Sequence, residues 1–301
     1  MKTIKIFAYA LAITSGFVFT SCGSDDSDGG LPPIGGYDSS DEVAAADLVA
    51  KWSFDGDGKE SISGAMPATS SGVSYVASDR GQALNLTEGF LKYNAITNLS
   101  STLSSFTIST WVKATNNGAS GSVFLSLARP NEWAGNINFL AETGWAPATS
   151  DSLTVKGQIV SNNALAWQDT RNAIKMDQGM IDANNNGQTP QHVANANKIG
   201  GQWAHCVLVW DGTSRMFTVY VNGQKISNPA WELRGNAESP AFAFTTPTYP
   251  VIGAFATFAN GTSTDGWDKG MTGQLDEMRV YKKALIQADI SALYQLESAG
   301  R

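Results

Sequence analysis

The sequence predicts an all-β fold, a two-sheet antiparallel β-sandwich with one short C-terminal helix, on three observations. Short segments rich in Val, Ile, Thr, Phe, Tyr and Trp recur between Gly, Asn and Pro turns, and Asn222-Gly223 supplies the positive-φ pair of a tight hairpin. Only 16% of the 301 residues are charged, whereas Ser, Thr, Asn and Gly account for 104 of them, which suits polar sheet faces and loops better than solvated helices.

Taken in order, strands are predicted over 48–54, 83–93, 106–112, 122–128 and 153–160. Residues 106–112, Phe-Thr-Ile-Ser-Thr-Trp-Val, alternate with period two in strand-favouring side chains. Residues 203–210 are apolar on both parities, as in a strand covered on both faces. Asp211-Gly212-Thr213-Ser214 then turns the chain, and 215–221 places Phe217, Val219 and Val221 on one face. Beyond the Asn222-Gly223 turn, strands follow over 224–227, 250–257 and 273–281. The segment 285–296 carries Leu285, Ile286, Ile290, Leu293 and Tyr294 at helical spacing, so it should lie with that face on the sandwich. More than ten such strands call for two sheets packed face to face.

The ends of the chain read differently. Lys2 and Lys5 precede an apolar run over 6–19 that is too short for a comfortable membrane span, followed by Thr20-Ser21-Cys22. Residues 1–21 are therefore read as a targeting segment. The small residues before Cys22 resemble a bacterial lipobox, which implies that Cys22 carries a lipid and anchors the chain to the outer membrane. From 22 to 47 there are seven acids and no Lys or Arg among Gly, Ser and Pro, the composition of an extended acidic tether. Its Gly-Ser-Asp-Asp-Ser-Asp start resembles the acidic export signal of surface-exposed lipoproteins in one group of Gram-negative bacteria. The other cysteine, Cys206, lies in an apolar strand and is read as a small core residue, so no disulfide framework exists. The net charge of −7 resides in the tether, because residues 48–301 hold 20 acids and 18 bases. A near-neutral domain without a basic stripe excludes nucleic acid as a partner.

Within 48–301 a series of motifs occurs in order: Leu48-Val-Ala-Lys-Trp52-Ser-Phe54-Asp55-Gly56, Gly81-Gln82-Ala83-Leu84, Phe106 to Val112, Gly201-Gln202-Trp203-Ala-His205, Phe217 to Gly223, and Gly273-Gln-Leu275-Asp276-Glu277-Met-Arg279-Val-Tyr281 with Ala284-Leu285. This set resembles the laminin G-like group of concanavalin A-like lectin jelly-roll domains found in bacterial surface proteins. The resemblance implies a jelly roll, frequent glycan binding and often a structural Ca²⁺. Asp276 sits in a strand where alternation gives it the face of Met278 and Val280. A carboxylate among apolar neighbours needs a metal or hydrogen-bond donors to meet it. The family relation would bring it to the turn Asp55-Gly56-Asp57-Gly58, so Asp55, Asp57 and Asp276 are the candidate Ca²⁺ ligands. Glu60 departs from the family's aspartate at the following Ser-Gly pair. Asp182-Ala-Asn184-Asn-Asn186-Gly187 matches the start of an EF-hand loop, but its twelfth position is Val193 instead of Glu, and it is read as an Asn-rich surface loop.

No enzyme signature emerges, and none is expected. The Glu-x-Asp-x-Glu run of the related glucanases is missing, Asp276 and Glu277 point to opposite faces, and Glu232 with Glu238 has the wrong spacing. There is no Gly-x-Ser-x-Gly, Walker or His-Glu-x-x-His motif. His205 belongs to a buried strand, and His192 has no visible partner. Binding chemistry is better represented. Trp52, Trp111, Trp203 and Trp210 belong to strand motifs and should pack. Trp133, Trp145, Trp167, Trp231 and Trp267 fall in loop-like segments. Three of these five occupy the long stretch 129–200, with Asn136, Asn162, Asn163, Gln168, Asp169 and Arg171. Flat aromatic faces beside amides and charges are what sugar recognition requires. The five tryptophans and Arg171 are thus the candidate ligand-binding residues. The expected function is non-catalytic binding of a glycan or polysaccharide by a surface-anchored lipoprotein, in company with other surface glycan-uptake proteins. A protein-binding adhesin or accessory subunit is the alternative, and a glycoside hydrolase the third reading.

Overall fold

Among the described residues thirteen strands form, most of them where β-branched and aromatic residues alternate between turn residues. The structure, a computed structural model, describes residues 31–172 and 197–301. Residues 33–301 make up one unit; of the preceding unit, residues 1–32, only Leu31 and Pro32 are described. The strands are β1 (Leu48–Trp52), β2 (Thr69–Ser78), β3 (Gly81–Lys92), β4 (Phe106–Lys113), β5 (Ser122–Ala128), β6 (Ile137–Ala141) and β7 (Val155–Val160). They continue with β8 (Trp167–Arg171), β9 (Ala204–Asp211), β10 (Met216–Val221), β11 (Gln224–Lys225), β12 (Tyr249–Ile252) and β13 (Met271–Tyr281). A single helical turn, α1 (Ala256–Ala259), and a C-terminal helix, α2 (Gln287–Ser298), complete the described elements longer than three residues.

All strand pairings are antiparallel, and the hydrogen-bonded order is β11-β10-β9-β4-β13-β3-β12-β5-β6-β7-β8, with β1 on β13 and β2 on β3. The two predicted sheets are therefore one sheet curled on itself. Its ends face each other, with β7 and β8 across from β10, and β5 across from β13. Inward-facing Trp52, Phe106, Ile108, Phe139, Ile159 and Leu208 fill the space between the layers. At the hairpin between β10 and β11, Asn222 and Gly223 take φ of 49° and 73°, the left-handed pair a type I′ turn demands.

Two departures from the sequence reading have physical causes. The extended tether expected over 22–47 differs from the structure over 33–47. Val43 is buried, with Ile34 and Tyr37 packed against Tyr281, Ile290 and Leu293. One of the acids that suggested solvation has a distant partner, since Asp41 accepts from Arg279 at 2.9 Å, and Tyr37 of the same segment donates to Asp289 of α2 at 2.9 Å. This strap covers the outer side of β13 beside α2.

The second departure concerns Asp276. Along β13 the pairing with β4 shifts register between Asp276 and Arg279, and Glu277 has φ of 43°. The extra residue is a β-bulge, which breaks the alternation. Leu275, Met278 and Val280 face the core, and Asp276 shares the outer face with Arg279 instead of with Met278 and Val280. Glu60 also has a structural role that its sequence position conceals. Fully buried, it accepts from the backbone N–H of Lys51, Ile62 and Ser63 at 2.9, 2.9 and 2.6 Å and thereby fixes the loop after β1.

Candidate functional site: a tryptophan-lined cleft

Alternation in β6, β7 and β8 builds the floor of the site. Ile137, Phe139, Val155 and Ile159 point into the core, so Asn138, Leu140, Lys156 and Gln158 point out. The pairings Asn138 with Gln158 and Gln158 with Asp169 set these polar side chains in a row. Asn138 donates to Gln158 at 3.1 Å and Gln158 to Asp169 at 3.2 Å. On the next row Lys156 lies beside Leu140 and Arg171. Its ammonium sits 3.0 Å from Glu142 and 3.3 Å from Asp169. Burial pulls the Lys156 pKa down, but the two carboxylates more than offset this and hold it above its ordinary value, so the ammonium stays charged.

Loop side chains wall this floor into a cleft of about 280 Å³, with Trp133, Trp267 and Phe255 on one side and Trp145 beside Lys156. Trp133 is the centre of the aromatic group. Its ring centroid lies 5.3, 5.1 and 5.2 Å from those of Trp167, Phe255 and Trp267. Trp167 and Trp267 remain 46% and 40% exposed, so they present faces that the core does not use. Large tryptophan surfaces left in water cost free energy unless a partner covers them.

Of the six ligand-binding candidates, Trp133, Trp145, Trp167 and Trp267 thus come together. Trp231 does not join them: it is buried, with the guanidinium carbons of Arg171 and Arg234 at 4.1 and 4.8 Å from its ring centre. Arg171 is itself fully buried and lies between Trp231 and Trp145, behind the cleft wall. Asn136, Asn162 and Asn163 use their amides to staple residues 241–245 and do not enter the cleft. Glu142, Lys156, Gln158 and Phe255 escaped the sequence reading. The alternation of 155–160 was the available signal for two of them, whereas Glu142 and Phe255 gain their position only from strand pairing.

The Ca²⁺ candidates are met by the protein's own donors. Asp276 accepts from the Ser78 hydroxyl at 2.7 Å and the Glu277 N–H at 2.9 Å, with Arg80 Nε at 3.4 Å. Asp55 accepts from the Gln82 N–H at 2.8 Å and Asp57 from the Lys59 N–H at 2.9 Å. Among the described residues no three His, Cys, Asp or Glu side chains group as a metal site. Burial pushes the Asp276 carboxyl up to about 6, against the lowering effect of Ser78 and Arg80. Cys22, the 182–187 loop and His192 lie outside the described residues.

A second cluster lies on the opposite layer, under α2. Arg279, 1% exposed, contacts Glu297, Glu277 and Asp41, while Trp111 Nε1 donates to Glu297 at 2.7 Å. His205 stacks on Tyr294 and packs tilted against Trp111, which touches Tyr294 as well, and burial, aided by Arg279 and Arg80, drives its pKa down to about 3, so it is a neutral core ring. Burial pushes Glu297 from 4.5 up to about 7, with Arg279 and Trp111 opposing. The native state therefore holds this proton more tightly than the unfolded chain. The stability it confers is complete below 4.5 and is lost as pH rises through about 7. Relative to a Glu297→Gln variant, the unfolding free energy should drop by about 2 kcal/mol between about pH 5 and about pH 8. Urea titrations of both proteins at the two pH values test this, and parallel pH dependence would refute it.

The sequence profile of the Concanavalin A-like lectin/glucanases superfamily matches residues 89–291. No curated protein sequence matches the chain. Among solved structures, the chain is similar to domain 4 of AbnA, a GH43 extracellular arabinanase from Geobacillus stearothermophilus, in complex with arabinotriose. The TM-score is 0.50 at 19% identity, covering 83% of this chain and 98% of that one. It is also similar to the binding domain of Paraclostridial Mosquitocidal Protein 1, with TM-score 0.54, 14% identity and coverage of 83% and 52%. The botulinum neurotoxin serotype C1 binding domain gives TM-score 0.52, 11% identity and coverage of 85% and 53%. The chain spans about half the length of the two toxin domains. At these identities the likeness is one of fold.

Proposed function

The chain belongs to the Concanavalin A-like lectin/glucanases superfamily, and from that membership we propose that it is a non-catalytic carbohydrate-binding protein, held by a lipid on Cys22 at the outward face of the outer membrane. The observation that carries the reading is the convergence of Trp133, Trp145 and Trp267 on one cleft whose floor holds Glu142, Lys156 and Gln158. Aromatic faces take the C–H side of a sugar ring, and the charged and amide groups take its hydroxyls. That a similar domain was solved with arabinotriose supports an oligosaccharide as the ligand class for this fold. A retaining or inverting glycosidase needs one carboxyl group poised to give a proton to the glycosidic oxygen. In the cleft Glu142 faces the Lys156 ammonium, which Asp169 meets from outside the cleft lining, and this pairing supports binding over hydrolysis.

Isothermal titration of the Cys22→Ser chain against a panel of soluble polysaccharides tests the proposal. Saturable binding without release of reducing ends is the expected result. Release of reducing ends would make the protein a hydrolase. Capture of one stoichiometric protein partner with no glycan affinity would make it an adhesin or an accessory subunit of a surface glycan-uptake complex. Labelling with radioactive palmitate, lost in Cys22→Ser, and removal of the protein from intact cells by added protease test the anchor and its orientation.

A further inference from the structure

The polar floor of the cleft has a composition that narrows the ligand beyond a sugar in general. Lys156, Glu142 and Asp169 form a cation between two anions, and their side chains are 12%, 12% and 22% exposed. They are therefore held in place by packing before any ligand arrives. An ammonium has three hydrogens; Lys156 gives one to Glu142 and holds Asp169 at 3.3 Å as an ion pair, which leaves donor capacity among the described side chains. Among the described side chains Glu142 meets only Lys156, and Asp169 only Lys156 and Gln158, so each carboxylate has lone pairs to spare there. The trio thus offers a charged donor flanked by charged acceptors, at the foot of Trp145. Arg171 lies beside Lys156 in the same row, so the two cations and two anions there balance and the array selects by hydrogen bonding, not by net charge.

Resting on the glycan-binding reading, we propose that Glu142, Lys156 and Asp169 recognise a vicinal diol on a sugar ring. One hydroxyl oxygen accepts from the Lys156 ammonium, and the O–H groups of the pair donate to Glu142 and Asp169. A single hydroxyl satisfies only part of this array. Two on adjacent ring carbons satisfy both signs of charge at once, while the ring lies against tryptophan. Charge-assisted bonds of this kind are the strong ones, and leaving such a group unpaired when a ligand buries it is costly.

The experiment is isothermal titration of the Cys22→Ser chain with two kinds of polymer. Linear 1,4-linked xylan and mannan and 1,5-linked arabinan have a free 2,3-diol on each internal residue. A linear 1,3-linked β-glucan has none. Binding should be found among the diol-bearing polymers and be at least about tenfold weaker for the 1,3-glucan. Lys156→Met should weaken it by about tenfold or more. Glu142→Gln, which keeps the shape and can be checked for an unchanged urea midpoint, should do the same if the fold tolerates Lys156→Met poorly. Equal affinity for the 1,3-glucan, or full affinity in folded Glu142→Gln, would overturn the diol assignment and leave glycan binding intact. No binding by any polymer would overturn both.

Discussion

Replacing Arg279 by methionine should lower the unfolding free energy by about 3–5 kcal/mol, the cost of breaking a buried ion pair from one side. The guanidinium is 1% exposed and meets Glu297, Glu277 at 3.1 Å, Asp41 at 2.9 Å and the Ser40 hydroxyl at 3.1 Å. Methionine fills the space but removes the cation, so at about pH 8, above the point where Glu297 gives up its proton, a carboxylate is stranded in the interior. Lys51, at 3.9 Å from Glu277, is the nearest remaining cation to that carboxylate and is too far for a good hydrogen bond. Adding Glu297→Gln to the methionine variant removes the stranded charge and should recover part of the loss. Urea denaturation followed by circular dichroism measures the four corners of this cycle. A loss below about 1 kcal/mol for Arg279→Met would mean that the cluster behaves like a surface ion pair.

Trp133→Ala should cut glycan affinity by about thirtyfold or more, the loss expected at the centre of a binding surface. Its ring supports Trp167, Phe255 and Trp267 together, so its removal deletes one wall and loosens the rest. Stability should fall as well, since large aromatic truncations against packed neighbours cost several kcal/mol, roughly 3–5 when fully buried. Trp267→Ala separates the two effects. That side chain is 40% exposed, so its loss should weaken binding with little change in the urea midpoint. Wild-type affinity in a folded Trp133→Ala protein, by titration against the same polysaccharide, would remove the cleft from the binding mechanism.

Much of this architecture could be read from residues alone, and the failures share a cause. Strand β5 and the Asn222-Gly223 turn follow from local chemistry and appear where expected. Strands β2 and β8 were not foreseen because Thr-Ser-Ser-Gly-Val-Ser-Tyr-Val-Ala-Ser and Trp-Gln-Asp-Thr-Arg have no strong apolar alternation; they exist because β3 and β7 offer edges to pair with. The tryptophans of the cleft were recognisable by type and by their loop-like surroundings. Its floor was not, since Glu142, Lys156 and Asp169 meet only after β6, β7 and β8 pair. Asp276 was assigned the wrong face because period-two counting fails across a bulge, and nothing in Asp-Glu-Met-Arg advertises one. The strap was mistaken for solvated chain because its acids find bases some 240 residues downstream, as Asp41 finds Arg279 (|i−j| = 238).

That strap also has a mechanical meaning. It lies on the outer side of the layer containing β13, whereas the tryptophan cleft opens on the outer side of β6 and β7, in the facing layer. If the chain is held through Cys22 as proposed, a pull at residue 33 and a polymer pulled at the cleft load the domain from opposite sides, through the packed core. On the tether side the force reaches β1 only after passing Tyr37 on Asp289, Asp41 on Arg279 and buried Val43 in series. These contacts must part before the sheet is strained, so the strap takes up tension that would otherwise peel β1 from β13.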